Sequence, residues 1–132
     1  MRDTINELYE LITERKTDAN ERSYTAYLFR EGLDKILKKC GEECSEVIIA
    51  AKSLQAETRR GDSPEADVSG KSSFAVREKT VEFENEICDL IYHLLVLMAD
   101  LGIPLSSIES ILRERFSKTG NLKEFKTTDK NS

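Results

Sequence analysis

The chain has 132 residues, the size of one domain and too short for two. Twenty Lys and Arg stand against 25 Asp and Glu, a net charge of −5 that argues against nucleic-acid binding, which calls for a basic excess. Six Gly, two Pro, no Trp and 39% hydrophobic residues favour long helices over a turn-rich all-β fold, and leave a modest core that association would complete.

The N-terminal stretch MRDTINELYELITERK is charged from residue 2 and has no apolar run, so it does not read as a signal peptide. Thr4-Ile5-Asn6-Glu7 reads as a capping box, and Ile5, Leu8, Tyr9 and Ile12 follow at helical spacing. A first helix is predicted to about Lys16, then a polar turn over residues 17–22. The run Tyr24-Thr25-Ala26-Tyr27-Leu28-Phe29 fits a strand or a helix by period alone, and its helical surroundings favour the helix.

A third helix is predicted over residues 32–55. Leu33, Ile36, Leu37, Cys40, Cys44, Val47, Ile48, Ala51 and Leu54 recur at steps of 3 and 4, within a sector of about 120°. Cys40 and Cys44 on this stripe read as small core residues. Gly41 interrupts it at a cost of about 1 kcal/mol relative to Ala, which suits a close approach of another backbone or ligand, or a plain packing need. Residues 57–76, ETRRGDSPEADVSGKSSFAV, lack periodicity and are expected to form a flexible, disordered loop.

A fourth helix is predicted over residues 78–101, ended by Gly102 and Pro104. Between residues 90 and 99 it is apolar nearly all round, half the length of a membrane span, so a soluble protein is expected. Leu90, Ile91, Leu94, Leu95, Val96, Leu97 and Met98 cover more than one face, and the arc with Val96 is expected to meet a second copy. Ser106-Ser107-Ile108-Glu109 reads as a second capping box, opening a last helix that carries Ile111, Leu112 and Phe116. The expected fold is an all-α helical bundle in one domain, residues 1–120, with a polar tail at 121–132 and completion by homodimerisation. Three cysteines, Cys40, Cys44 and Cys88, form no CxxC pair, which argues against a zinc ribbon or disulfide framework and for a reducing cytoplasm.

Two acidic clusters stand out. Glu42, Glu43 and Glu46 share one side of the third helix, and Glu86 and Asp89 are i,i+3 on the fourth, in a polar ridge with Glu82 and His93. A solvated acidic face is the plain alternative. Against it, like charges at these spacings repel, and two long antiparallel helices would bring both clusters together. A divalent cation resolves the repulsion, and oxygen-only ligands favour Mg²⁺ or Mn²⁺ over zinc or copper. A di-iron centre needs a Glu-x-x-His on each of two helices, and the chain has one His with no Glu three residues before it. Lys16, Lys35, Lys38 and Lys39 are either ordinary surface charge or groups that offset a polyphosphate.

The pattern EExxE on one helix and ExxD on the next resembles the all-α NTP pyrophosphohydrolases, the MazG-like superfamily. Further words narrow the likeness: Arg15-Lys16, SYTAYLF at 23–29, Lys35-Ile36-Leu37-Lys38-Lys39 before Gly41-Glu42-Glu43, and Asp89-Leu90-Ile91-Tyr92-His93. Over residues 5–116 they are similar to the phosphoribosyl-ATP pyrophosphohydrolases of histidine biosynthesis. This resemblance implies Mg²⁺-dependent hydrolysis of 1-(5-phosphoribosyl)-ATP to 1-(5-phosphoribosyl)-AMP and pyrophosphate by a cytoplasmic homodimer. It implies metal ligation by Glu43, Glu46, Glu86 and Asp89, proton transfer by Glu42 or Glu43, and phosphate contacts from Lys16, Lys35, Lys38 and Lys39. Met1 lies just before the first helix, so a stand-alone form is expected rather than one fused to a cyclohydrolase domain. A house-cleaning pyrophosphatase for non-standard or deoxy-NTPs and a non-catalytic helical interaction module are the rival readings.

Overall fold

Five helices follow one another in a computed structural model that describes residues 3–18, 22–61 and 71–118: α1 (Thr4–Thr17), α2 (Tyr24–Glu31), α3 (Leu33–Gly61), α4 (Lys71–Asp100) and α5 (Leu105–Ser117). There is no strand among the described residues, so the all-α expectation holds and the ambiguous 24–29 run is helical. The tail expected at 121–132 lies outside the described residues.

Local chemistry sets the helix ends. Asp3, not Thr4, caps α1: its carboxylate accepts from the Asn6 amide at 3.2 Å, and its charge suits the positive end of the helix. Ser23 caps α2 by accepting from the Ala26 amide. Gly32, at φ +95°, donates to the Leu28 carbonyl and accepts from the Ile36 amide, so one residue closes α2 and opens α3. Gly102, at φ +71°, ends α4 in a Schellman arrangement, with Ile103 N–H on Met98 O and Gly102 N–H on Ala99 O. The second capping box does not form. Leu105 is drawn into the core, the helix begins there behind Pro104, and Glu109 instead accepts from the Asn6 side chain at 3.1 Å.

The 57–76 loop is shorter than expected. Residues 57–61 finish α3 and 71–76 begin α4; only 62–70 fall between them, outside the described residues. The Glu57–Arg60 pair at 3.1 Å and the Thr58 hydroxyl on Leu54 O belong to helical spacing. Half-buried Val76, Thr80, Phe83 and Ile87 carry the α4 pattern back past Glu78, with Thr80 breaking its apolar character.

The two long helices form the scaffold. Cys40 Sγ lies 3.5 Å from His93 O, and Glu43 faces Glu86 and Asp89, so α3 and α4 run antiparallel. Helices α1 and α2 cover the carboxyl-terminal part of α4 and the start of α3. The core there joins Ile12, Leu28, Ile36, Cys40, Leu95, Val96, Ala99 and Leu105, of which Ile12, Leu28, Ile36 and Val96 are fully enclosed. Each such aliphatic side chain contributes roughly 1.5–3 kcal/mol by leaving water. Tyr9 OH donates to Ile103 O at 2.6 Å and pins α1 to the end of α4.

Two burial expectations are corrected. Val96 is 0% exposed and packs inside this chain, because α1 and α2 cover the arc that was assigned to a second copy. Cys44 is exposed: the buried line of α3 runs through Ile36, Cys40, Glu43 and Ala50, to one side of the apolar stripe. Leu33, Leu37, Cys44 and Ile48 thus form an uncovered line on α3, with Gly41 in its middle and open space where a Cβ would stand. Ile108, Ile111, Leu112 and Phe116 of α5 are exposed as well.

Candidate active site

The acidic clusters meet at the middle of the α3–α4 seam. One carboxylate oxygen each from Glu43, Glu86 and Asp89 lies within 4.8 Å of the others. Glu43 is only 6% exposed although it is ionisable, because the buried line of α3 passes through it. Glu46, one turn further along α3, stands close enough to act on the carboxyls of both Glu43 and Glu86. Of the four carboxylates expected as metal ligands, Glu43, Glu86 and Asp89 form the close trio, and Glu46 stands beside it.

The electrostatics are those of a site short of positive charge. Burial pushes the Glu43 carboxyl above the usual carboxylate range; the Glu46 hydrogen bond and repulsion from Glu46 and Asp89 add to this, and Lys39 offsets part. Glu86 is raised as well, first by its hydrogen bond with Glu46, then by desolvation and by repulsion from Glu46, Asp89 and Glu43. Two oxygens stay unsatisfied: Glu43 Oε2 and Glu86 Oε2 are buried with no hydrogen-bond partner. A hard divalent cation supplies what these orphaned oxygens lack, and a donor set of carboxylate oxygens alone suits Mg²⁺ or Mn²⁺.

Glu42 is placed differently. It accepts from Lys39 Nζ at 3.0 Å, outside the trio, and this bond, with the charges of Lys39, Lys38 and Lys35, holds its carboxyl below the usual range. Lys39 also stands 4.0 Å from Glu43 Oε1, which puts one ammonium at the edge of the cluster. Lys35 and Lys38 share the field around Glu42. Lys16 is not among them. Its ammonium donates to Ala99 O at 2.8 Å and Asp100 O at 3.3 Å, capping the negative end of α4. That point lies about 15 Å along the helix from Asp89, at 1.5 Å per residue.

The polar ridge of α4 divides. Glu82 turns outward to Lys79 at 3.2 Å, whereas His93 passes beneath α2 and is 4% exposed. His93 Nδ1 is 2.7 Å from Asp89 O, and a carbonyl only accepts, so Nδ1 carries the hydrogen. Nε2 of the neutral ring then accepts from the Tyr24 hydroxyl at 3.1 Å. Nδ1 also lies 3.7 Å from Glu43 Oε1. Burial raises the Tyr24 phenol above its ordinary range, with Lys39 acting the other way and Tyr92 and Glu43 adding to the rise. Sequence reasoning gave Tyr24 no role, since it stands on α2 and has no helical spacing to any acid; the word SYTAYLF was its only signal.

Comparison with known proteins identifies the family. The family model described as phosphoribosyl-ATP pyrophosphohydrolase matches residues 5–116, which include every carboxylate of the cluster. The phosphoribosyl-ATP pyrophosphatase of Clostridium novyi (strain NT) is 40% identical over 121 residues, 92% of this chain and 88% of that protein. That of Clostridium botulinum (strain Kyoto / Type A2) is 44% identical over 127 residues, 96% of this chain and 94% of that protein. The histidine biosynthesis bifunctional protein HisIE of Bacillus subtilis (strain 168) is 42% identical over 114 residues, 86% of this chain and 43% of that protein. With the match running from α1 to the last turn of α5 and taking in both acidic clusters, the chain belongs to the phosphoribosyl-ATP pyrophosphohydrolase family.

Proposed function

We propose that this protein hydrolyses 1-(5-phosphoribosyl)-ATP to 1-(5-phosphoribosyl)-AMP and pyrophosphate in histidine biosynthesis, in the cytoplasm, with Mg²⁺ or Mn²⁺. The observation that carries the reading is the pair of buried, unpartnered oxygens on Glu43 and Glu86 inside a cluster completed by Asp89, in a chain of this family. Glu43, Glu46, Glu86 and Asp89 would hold the cation. When bound, it supplies Lewis-acid stabilisation of the charge on the polyphosphate.

The chain's own groups do the rest. Lys39, with Lys35 and Lys38 on the same helix, offsets the charge that builds on the departing pyrophosphate. Of the two carboxylates assigned to proton transfer, Glu42 is tied to Lys39 and held ionised, a weak base. Glu43, which no lysine holds in a hydrogen bond, is the other candidate acceptor for the proton of the attacking water. No covalent nucleophile is required, so positioning and electrostatics supply the rate.

A second copy completes the fold in this reading. The uncovered line of Leu33, Leu37, Cys44 and Ile48 on α3, with Gly41 permitting close approach, suits a twofold partner, and so does the exposed Leu94 on α4. Release of pyrophosphate from phosphoribosyl-ATP, compared with a panel of deoxy-NTPs in the presence and absence of Mg²⁺, tests the substrate and the cation together. Preference for a deoxy-NTP would move the assignment to a house-cleaning pyrophosphatase.

A further inference from the structure

The Tyr24–His93 pair is not needed to hold α2 down, since Thr25, Ala26 and Leu28 are buried there and Ser23 caps the helix. Tyr24 itself is 47% exposed, yet its hydroxyl reaches inward to a histidine that is almost fully enclosed. Its ring stacks on Tyr27 and on Tyr92, at centroid distances of 6.0 and 6.3 Å, which fixes its direction. Tyr92 is held in turn by Thr25, whose hydroxyl lies 2.5 Å from the Tyr92 hydroxyl. Tyr24 and Tyr92 both meet the His93 ring edge-on, so the imidazole is gripped on its sides as well as at Nε2.

The imidazole has two neutral tautomers with opposite consequences for the cluster. With the hydrogen on Nδ1, the ring shows a donor edge to Asp89 O at 2.7 Å and to Glu43 Oε1 at 3.7 Å. With the hydrogen on Nε2, a lone pair would face both oxygens and repel them. The Asp89 carbonyl at Nδ1 and a Tyr24 hydroxyl that donates to Nε2 favour the first form together. Partners that orient the ligands of a metal site in this way alter its affinity without touching the metal.

We propose that Tyr24 is a positioning residue for the cation site and acts through His93: its hydroxyl at Nε2, opposite the Asp89 carbonyl at Nδ1, anchors the ring in its Nδ1–H form, and that donor edge aligns the Glu43 carboxylate beside Asp89. The proposal rests on the metal-site reading above. The test is titration of the metal-free protein with Mn²⁺, free ion being followed by electron paramagnetic resonance, for wild type, Tyr24→Phe, His93→Asn and the double variant. Tyr24→Phe is expected to weaken Mn²⁺ binding about tenfold, with helicity and melting temperature unchanged and KM for phosphoribosyl-ATP at saturating metal unmoved. His93→Asn keeps a donor near the Nδ1 position and loses the acceptor, so adding Tyr24→Phe to it should weaken binding no further. Equal Mn²⁺ affinity in Tyr24→Phe and wild type overturns the proposal while leaving the metal site standing. A raised KM at unchanged Mn²⁺ affinity also overturns it, by making Tyr24 a substrate contact. Wild-type protein that binds no Mn²⁺ removes the metal site and this proposal with it.

Discussion

Glu43 and Asp89, one from each of the two long helices, bring carboxylate oxygens within 4.8 Å of each other where α3 and α4 cross in antiparallel register. Neither helix could assemble this arrangement alone. The two acids are 46 positions apart in the chain, and it is the packing of Cys40 against His93, one turn away, that sets the register.

The cluster should respond to the loss of a single charge. Glu46→Gln or Asp89→Asn is expected to lower turnover about a hundredfold or more at saturating Mg²⁺. The fold should survive, because removing one of several repelling carboxylates relieves strain in the metal-free protein. Pyrophosphate release with circular dichroism on the same samples checks both halves. Near wild-type activity in either variant would sink the ligand assignment.

Stability should depend on pH in a way that metal cancels. Glu43 and Glu86 have folded pKa values above those of an unfolded chain, so their contribution is present in full below the unfolded value. It is lost as pH rises through the folded values. Melting temperatures of the metal-free protein should therefore fall from about pH 4, the ordinary carboxylate range, toward neutrality as these two groups ionise. Mg²⁺ binds the ionised form and should cancel that fall. A metal-free melting temperature that climbs over the same window, with no effect of Mg²⁺, contradicts the cluster's electrostatics.

Lys16 and Lys39 should separate cleanly. Lys16→Ala removes a charged cap from the end of α4 and is expected to cost about 0.5–2 kcal/mol of stability, with kcat and KM nearly unchanged. Lys39→Ala removes the ammonium beside the cluster and should depress kcat at little cost in stability. Denaturant titrations alongside kinetics tell the two apart.

How far these features could be read from the sequence depended on whether the signal was local. The i,i+3 and i,i+4 acids and the apolar period of α3 and α4 are local, and they led to the bundle and to the carboxylates of Glu43, Glu86 and Asp89 that meet at its seam. The burial of Val96 was not legible, because a helix that is apolar all round does not say which arc its own chain covers and which is left open. Lys16 stood beside Arg15 in a word read only as part of the resemblance, and nothing in its neighbourhood marked it as a cap for a helix whose end lies 83 residues away. Tyr24 was missed for the same reason: its partner comes from another helix.

Dimerisation should follow the exposed line of α3 and not the arc first assigned to it. Ile48 is 64% exposed, so Ile48→Glu should leave the protomer folded and shift sedimentation from dimer to monomer. Val96→Glu buries a carboxylate in the core and should unfold the protomer. A wild-type protein that sediments as a monomer at micromolar concentration removes the dimer from the account.

The most direct test of the central claim is a single assay: pyrophosphate released from 1-(5-phosphoribosyl)-ATP by the purified protein, with and without Mg²⁺, against deoxy-NTPs at equal concentration. The account predicts turnover that needs the cation, prefers the phosphoribosylated nucleotide and disappears in Asp89→Asn. Release that is absent with phosphoribosyl-ATP, or unaffected by chelation of the metal, would contradict it.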